Sequence, residues 1–66
     1  MADMLSMKDR LFSFGRALEA KDLASIFGVT EATIYHQARQ GVIPCFRIGT
    51  LVRFDPKSVW EWYEKQ

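Results

Sequence analysis

Apolar residues along this chain fall into helical stripes broken by one short stretch of alternation. In Ala20-Lys21-Asp22-Leu23-Ala24-Ser25-Ile26-Phe27, Leu23, Ala24 and Phe27 recur at helical spacing and give one apolar face. Gly28 interrupts the pattern, where a turn between helices calls for a residue that tolerates positive φ. Thr30 is placed to cap a second helix, Glu31 to Gln40, which Gly41 stops. Two helices that cross steeply over a short turn need a small side chain at their closest approach. Ala24 supplies it, with Ile34 facing it across the crossing. Ile34 and Ala38 mark the inner side of the second helix.

Two further helices flank this pair. Met4, Met7, Leu11 and Phe14 form a stripe that predicts a helix over residues 3–14, ended by Gly15. It reads as a supporting helix laid on the domain, with a contact surface for a second copy or a partner as the alternative. At the other end, Asp55 and Pro56 are an N-cap and a first helical residue. Val59, Trp62 and Tyr63 are expected on the buried face that follows, with Trp60 nearby.

Between the helices, Phe46-Arg47-Ile48 and Val52-Arg53-Phe54 alternate as strands around Gly49-Thr50-Leu51. A two-residue loop would pair Phe46 with Arg53 and mix the faces. A three-residue loop pairs Ile48 with Val52 and sets Arg47 directly opposite Arg53, at the cost of positive φ at Leu51. The three-residue loop is the expectation.

Sixty-six residues allow one domain with a small core, and 48% hydrophobic residues with nine aromatics favour folding over disorder. Cys45 is the single cysteine, so no internal disulfide forms, which fits a reducing cytoplasm. The start, Met1-Ala2-Asp3-Met4, carries neither a basic region nor an apolar run of signal-peptide or membrane-span length. One His and one Cys on different elements, no Gly-rich phosphate loop and no paired carboxylates leave an enzyme reading with little support. No metal or other cofactor is expected.

Net charge is only +1, but its distribution is uneven. Residues 1–31 carry four basic and five acidic side chains, and residues 55–66 carry two basic and three acidic. Residues 32–54 carry Arg39, Arg47 and Arg53 and no acid. The acid-free stretch holds the second helix of the pair and the hairpin, a surface suited to phosphate.

A small residue, a glycine four positions later and an aliphatic six beyond is the helix-turn-helix spacing, in which the second helix enters the DNA major groove. Leu18 to Tyr63 resembles the helix-turn-helix module of the excisionase family, related to the DNA-binding head of MerR-type regulators. The residues that carry the resemblance are Glu19-Ala20-Lys21-Asp22-Leu23-Ala24, Phe27-Gly28-Val29-Thr30, Thr33-Ile34-Tyr35, Gly41-Val42-Ile43-Pro44, Arg47-Ile48-Gly49, Arg53-Phe54, and Val59 with Trp62.

The resemblance implies a mostly α fold with a small β-hairpin wing, a winged helix-turn-helix, over residues 17–66, with residues 1–16 as an N-terminal extension. Two positions depart from the family. Ala20 stands where it usually places Ser or Thr, which predicts a weakly capped first helix. Gln37 stands where an aliphatic normally packs, so it either turns outward or leaves that packing to Ala38.

The expected function is sequence-specific binding of double-stranded DNA, with helix 31–40 in the major groove and the basic wing, residues 46–54, on the backbone. Ala32, His36 and Arg39 form an outward stripe, with Thr33 beside it. Arg39 can read a guanine edge or pair with phosphate, His36 can donate to either, and Ala32 can meet a thymine methyl. The candidate contacts are Thr30, Ala32, Thr33, Tyr35, His36 and Arg39 from the helix, and Arg47, Thr50 and Arg53 from the wing. The resemblance further implies a recombination accessory factor or small transcription regulator of a bacterium, phage or mobile element. Such a protein acts with further copies of itself or with a recombinase or transcription partner, and not at a membrane. The competing reading is a protein-interaction adaptor on the same fold.

Overall fold

A computed structural model describes residues 6–66. The helix pair is as the spacing predicts: α1 (Met7–Phe12) precedes it, and α2 (Ala20–Phe27) packs directly against α3 (Glu31–Arg39). Ala24 and Ile34 are both buried where the two meet. At the end of α2, Gly28 takes φ +72°, and the Val29 amide donates to the Ala24 carbonyl at 2.9 Å. The Gly28 amide donates to the same carbonyl, so both amides of the turn close onto the last turn of the helix. The Thr30 hydroxyl then opens α3 by accepting the Thr33 amide at 3.2 Å. The helix closes at Arg39, one residue short of the expected end, with Gln40 as its C-cap.

The entry to α2 differs from expectation. Glu19, not Ala20, is the N-cap, and the Asp22 carboxylate accepts its amide at 2.8 Å. Ala20 is buried at the first helical position, where a small apolar residue is what the packing needs. Leu18 is not helical. It forms an isolated antiparallel bridge with Phe54, each amide donating to the other's carbonyl at 2.8 Å.

The N-terminal helix is shorter than residues 3–14, and Met4 lies outside the described residues. Ser6 and Asp9 cap it reciprocally, and the Ser13 hydroxyl donates to the Arg10 carbonyl at its end. Leu11 is wholly buried, while Phe14 is exposed, its ring 5.2 Å from the Arg16 guanidinium. The helix lies on α4 (Pro56–Glu64), so Leu11 enters the same cluster as Leu18, Leu23, Ile34, Phe54 and Val59. Every helix contributes one of these side chains, and the Leu18–Phe54 bridge contributes two.

Asp55 caps α4 as expected, accepting the Ser58 amide at 3.1 Å with Pro56 at the first position. Val59 is buried, but Tyr63 is 38% exposed rather than part of the buried face. Its ring instead stacks on Phe27 at 6.0 Å and on Trp60 at 5.8 Å, and Trp62 meets Phe27 edge-on at 6.1 Å. These ring pairs pin α4 to the end of α2 through aromatic surface that solvent still reaches.

The hairpin takes the register that alternation alone disfavours. Strand β1 (Phe46–Ile48) pairs antiparallel with β2 (Leu51–Arg53), matching Phe46 with Arg53, Arg47 with Val52 and Ile48 with Leu51. The connection is Gly49-Thr50, with φ +61° at Gly49 and no positive φ at Thr50 or Leu51. That is the sign pattern of a type II′ turn, whose first central residue is best glycine. Glycine takes the left-handed conformation without the penalty that Leu51 would carry, so the shorter loop wins over the expected three-residue one.

Candidate nucleic-acid interface

Direct cross-strand partners share a face, so the register divides the wing. Arg47 and Val52 lie on one face, with Phe54 continuing it into the core. Phe46, Ile48, Leu51 and Arg53 lie on the other. Arg47 and Arg53 are therefore on opposite faces of the ribbon, not side by side as the three-residue loop would have placed them. The Arg53 guanidinium donates to the Val52 carbonyl at 2.8 Å along its own strand.

A different pair of arginines comes together. Arg39, at the end of α3, and Arg47, on the near face of the wing, both line a groove of about 120 Å³ between helix and hairpin. Tyr35, Ala38, Cys45 and Val52 complete its walls. Tyr35, a candidate contact, stands at its rim, 42% exposed. Ala38 and Cys45 are not among the candidate contacts that the sequence suggests. Their place in the groove follows from the hairpin register, which the Gly49-Thr50 pair signals once it is read as a two-residue turn.

Along α3, Ala32, His36 and Arg39 are exposed on the side away from Ile34, and Thr33 is exposed on the flank between. The two threonine hydroxyls are 2.9 Å apart, so Thr30 and Thr33 are held by each other as well as by the cap. Thr50 is exposed at the wing turn. Gln37 is half-buried and lines an apolar crevice with Phe27, Val29, Ile34, Ile43, Trp62 and the exposed Thr33.

The electrostatics favour an anion at the groove. Among the described residues, no carboxylate pairs with Arg39, Arg47 or Arg53, and the segment from 32 to 54 holds none. An ion pair among the described residues, away from the groove, is structural. Arg16 meets the buried Asp22 at 3.0 Å. Burial pushes the Asp22 carboxyl up, but the Glu19 amide, the Arg16 guanidinium and Lys21 together hold it below its ordinary value. No group of His, Cys, Asp and Glu among the described residues could hold a metal ion. No helix there is long and apolar enough to cross a membrane.

Residues 17–66 match a family model described as a helix-turn-helix domain. No curated protein and no solved structure matches the chain.

Proposed function

Because the chain belongs to this helix-turn-helix family of excisionase-like DNA-binding domains, we propose that it binds double-stranded DNA sequence-specifically, with α3 in the major groove. The observation that carries this reading is the meeting of Arg39 and Arg47 across the groove between α3 and the wing. A helix in the major groove leaves the adjoining phosphate strand along its flank, and this groove runs along that flank. One strand of phosphates then sits between the two guanidinium groups, which carry no competing carboxylate.

Ahead of that seat, Ala32, Thr33 and His36 face the base edges, with Thr30 at the helix entry. Tyr35 lines the phosphate strand, and Thr50 and Arg53 belong to the wing's share of the backbone. Binding needs no cofactor and no catalytic step, and it goes with a cytoplasmic location beside the DNA. The biological output we assign is that of an accessory factor in recombination or a small transcription regulator. On the order of three to five phosphate contacts give a single copy a log–log salt slope of only about −3 to −4. Useful occupancy then comes from cooperation with further copies or with a recombinase or transcription partner.

Chemical-shift mapping with a mixed-sequence duplex tests the reading. Perturbations should cluster on residues 30–39 and 47–53. A duplex that moves no resonance at low salt, while the domain captures a defined protein partner, would establish the adaptor reading instead.

A further inference from the structure

Helices α3 and α4 open on the same arrangement, a polar cap with a hydroxyl residue three positions on. In α4, the Asp55 carboxylate accepts both the Ser58 amide, at 3.1 Å, and the Ser58 hydroxyl, at 3.0 Å. In α3, the Thr30 hydroxyl accepts the Thr33 amide at 3.2 Å, and the two threonine oxygens are 2.9 Å apart. A carboxylate only accepts, so the direction in α4 is forced: the third residue donates back to the cap. In α3 both partners are hydroxyls, and either direction satisfies the bond.

The direction decides what the exposed pair offers outward. With Thr33 as donor, Thr30 Oγ1 fills both lone pairs with the amide and hydroxyl of Thr33 and keeps only its own proton. Thr33 Oγ1 has then spent its proton and keeps only lone pairs. Each side chain is reduced to one polarity, Thr30 a donor and Thr33 an acceptor. The reversed bond would leave Thr30 with a lone pair facing the phosphates at the helix entry, which themselves only accept. The direction that α4 displays is therefore also the one that suits DNA.

Resting on the DNA-binding reading above, we infer that Thr33 donates to Thr30 and meets its base as a pure acceptor. It then selects an exocyclic amino group, N4 of cytosine or N6 of adenine, over the keto groups of guanine and thymine. Thr30 is the positioning residue. It touches no base, holds the Thr33 proton and gives its own to the adjoining phosphate. Since an amino base on one strand pairs with a keto base on the other, the pair reports which strand carries the amino group.

Selection of bound duplexes from a pool with a randomised centre tests this on the full chain. At one position, adenine and cytosine together should outnumber guanine and thymine by about fivefold, the size of one neutral hydrogen bond. T33V, which keeps the β-branched shape, should lose that preference and leave the other positions unchanged. T30V should lose it as well, although residue 30 meets no base, and T30S should retain it. T30D reproduces the α4 cap and still takes the Thr33 proton, so it should keep the preference while weakening all sequences alike. T30N caps through its amide oxygen and carries the same expectation of a kept preference should the added charge suppress binding. Enrichment of guanine and thymine at the position that T33V alters overturns the inference and leaves the DNA-binding reading standing. So does a T33V that alters no position, a preference that survives T30V, or one that is lost in both T30D and T30N. A pool from which the unaltered chain recovers no enriched sequence sinks both.

Discussion

Leu18 and Phe54 exchange both backbone hydrogen bonds, each 2.8 Å long, and so fasten the start of the helix pair to the end of the wing. Both side chains are wholly buried. The wing is thereby held at its base by the core itself, which fixes where Arg47 stands relative to Arg39.

Phe54→Ala should remove about 3–5 kcal/mol, the usual cost of emptying a buried phenylalanine site. In a domain this small that is most of the stability available. The variant should show little cooperative unfolding in urea at 25 °C. A change under about 1 kcal/mol would mean that the bridge, and not the ring, holds the wing.

The Asp22 carboxyl is held below its ordinary value in the folded chain. Its contribution is therefore full above the unfolded value, near pH 4, and fades as pH falls through the lower folded value. Asp22→Asn keeps an acceptor for the Glu19 amide but removes the charge that faces Arg16. It should cost about 1 kcal/mol at neutral pH, since Arg16 is half-exposed and water screens the pair. It should also flatten the acid limb of stability below about pH 4. Urea midpoints measured from neutral to strongly acidic pH on both proteins check the sign.

Arg39→Ala and Arg47→Ala should each reduce the log–log salt slope of duplex binding by about 0.9, as expected when one phosphate is no longer neutralised. Arg47→Ala should weaken all sequences equally. Arg39→Ala should also blur discrimination at one base pair if its guanidinium reaches a guanine edge. Anisotropy titrations between 50 and 200 mM salt, roughly the range over which such slopes are read, separate the two behaviours. An unchanged slope in both variants removes the shared phosphate seat.

Gly49 takes φ +61° with open space around it, so a side chain there meets strain and not a clash. Gly49→Ala should destabilise by about 1–2 kcal/mol, while Gly49→Asn should cost less, since asparagine tolerates this conformation. If alanine and asparagine behave alike in thermal unfolding, the turn is not of the assigned type.

The parts of the fold set by local chemistry are legible in the residues. Gly28, Thr30 and Asp55 each act as their residue type requires, and Ala24 and Ile34 are both buried in the one core cluster, as their spacing leads one to expect. The differences arise where tertiary packing decides. Leu18 lies just ahead of the first helix of the pair, yet its amide donates to the carbonyl of Phe54, at the far end of the wing. Alternation in the wing implies that its apolar residues share an inner face. Only Val52 and Phe54 turn to the core, while Phe46, Ile48 and Leu51 remain outside. Turn chemistry at Gly49 outweighs the alternation, and with it moves Arg53 away from Arg47. The acid-free stretch does hold both arginines that line the groove, but which two come together depends on that register.

Family likeness begins at residue 17, whereas the packed interior begins earlier, at Leu11. A fragment trimmed to the homologous boundary would open a hole in the cluster that holds Val59 and Phe54. Anyone dissecting this domain should therefore cut according to what fills its interior, not according to where its relatives align.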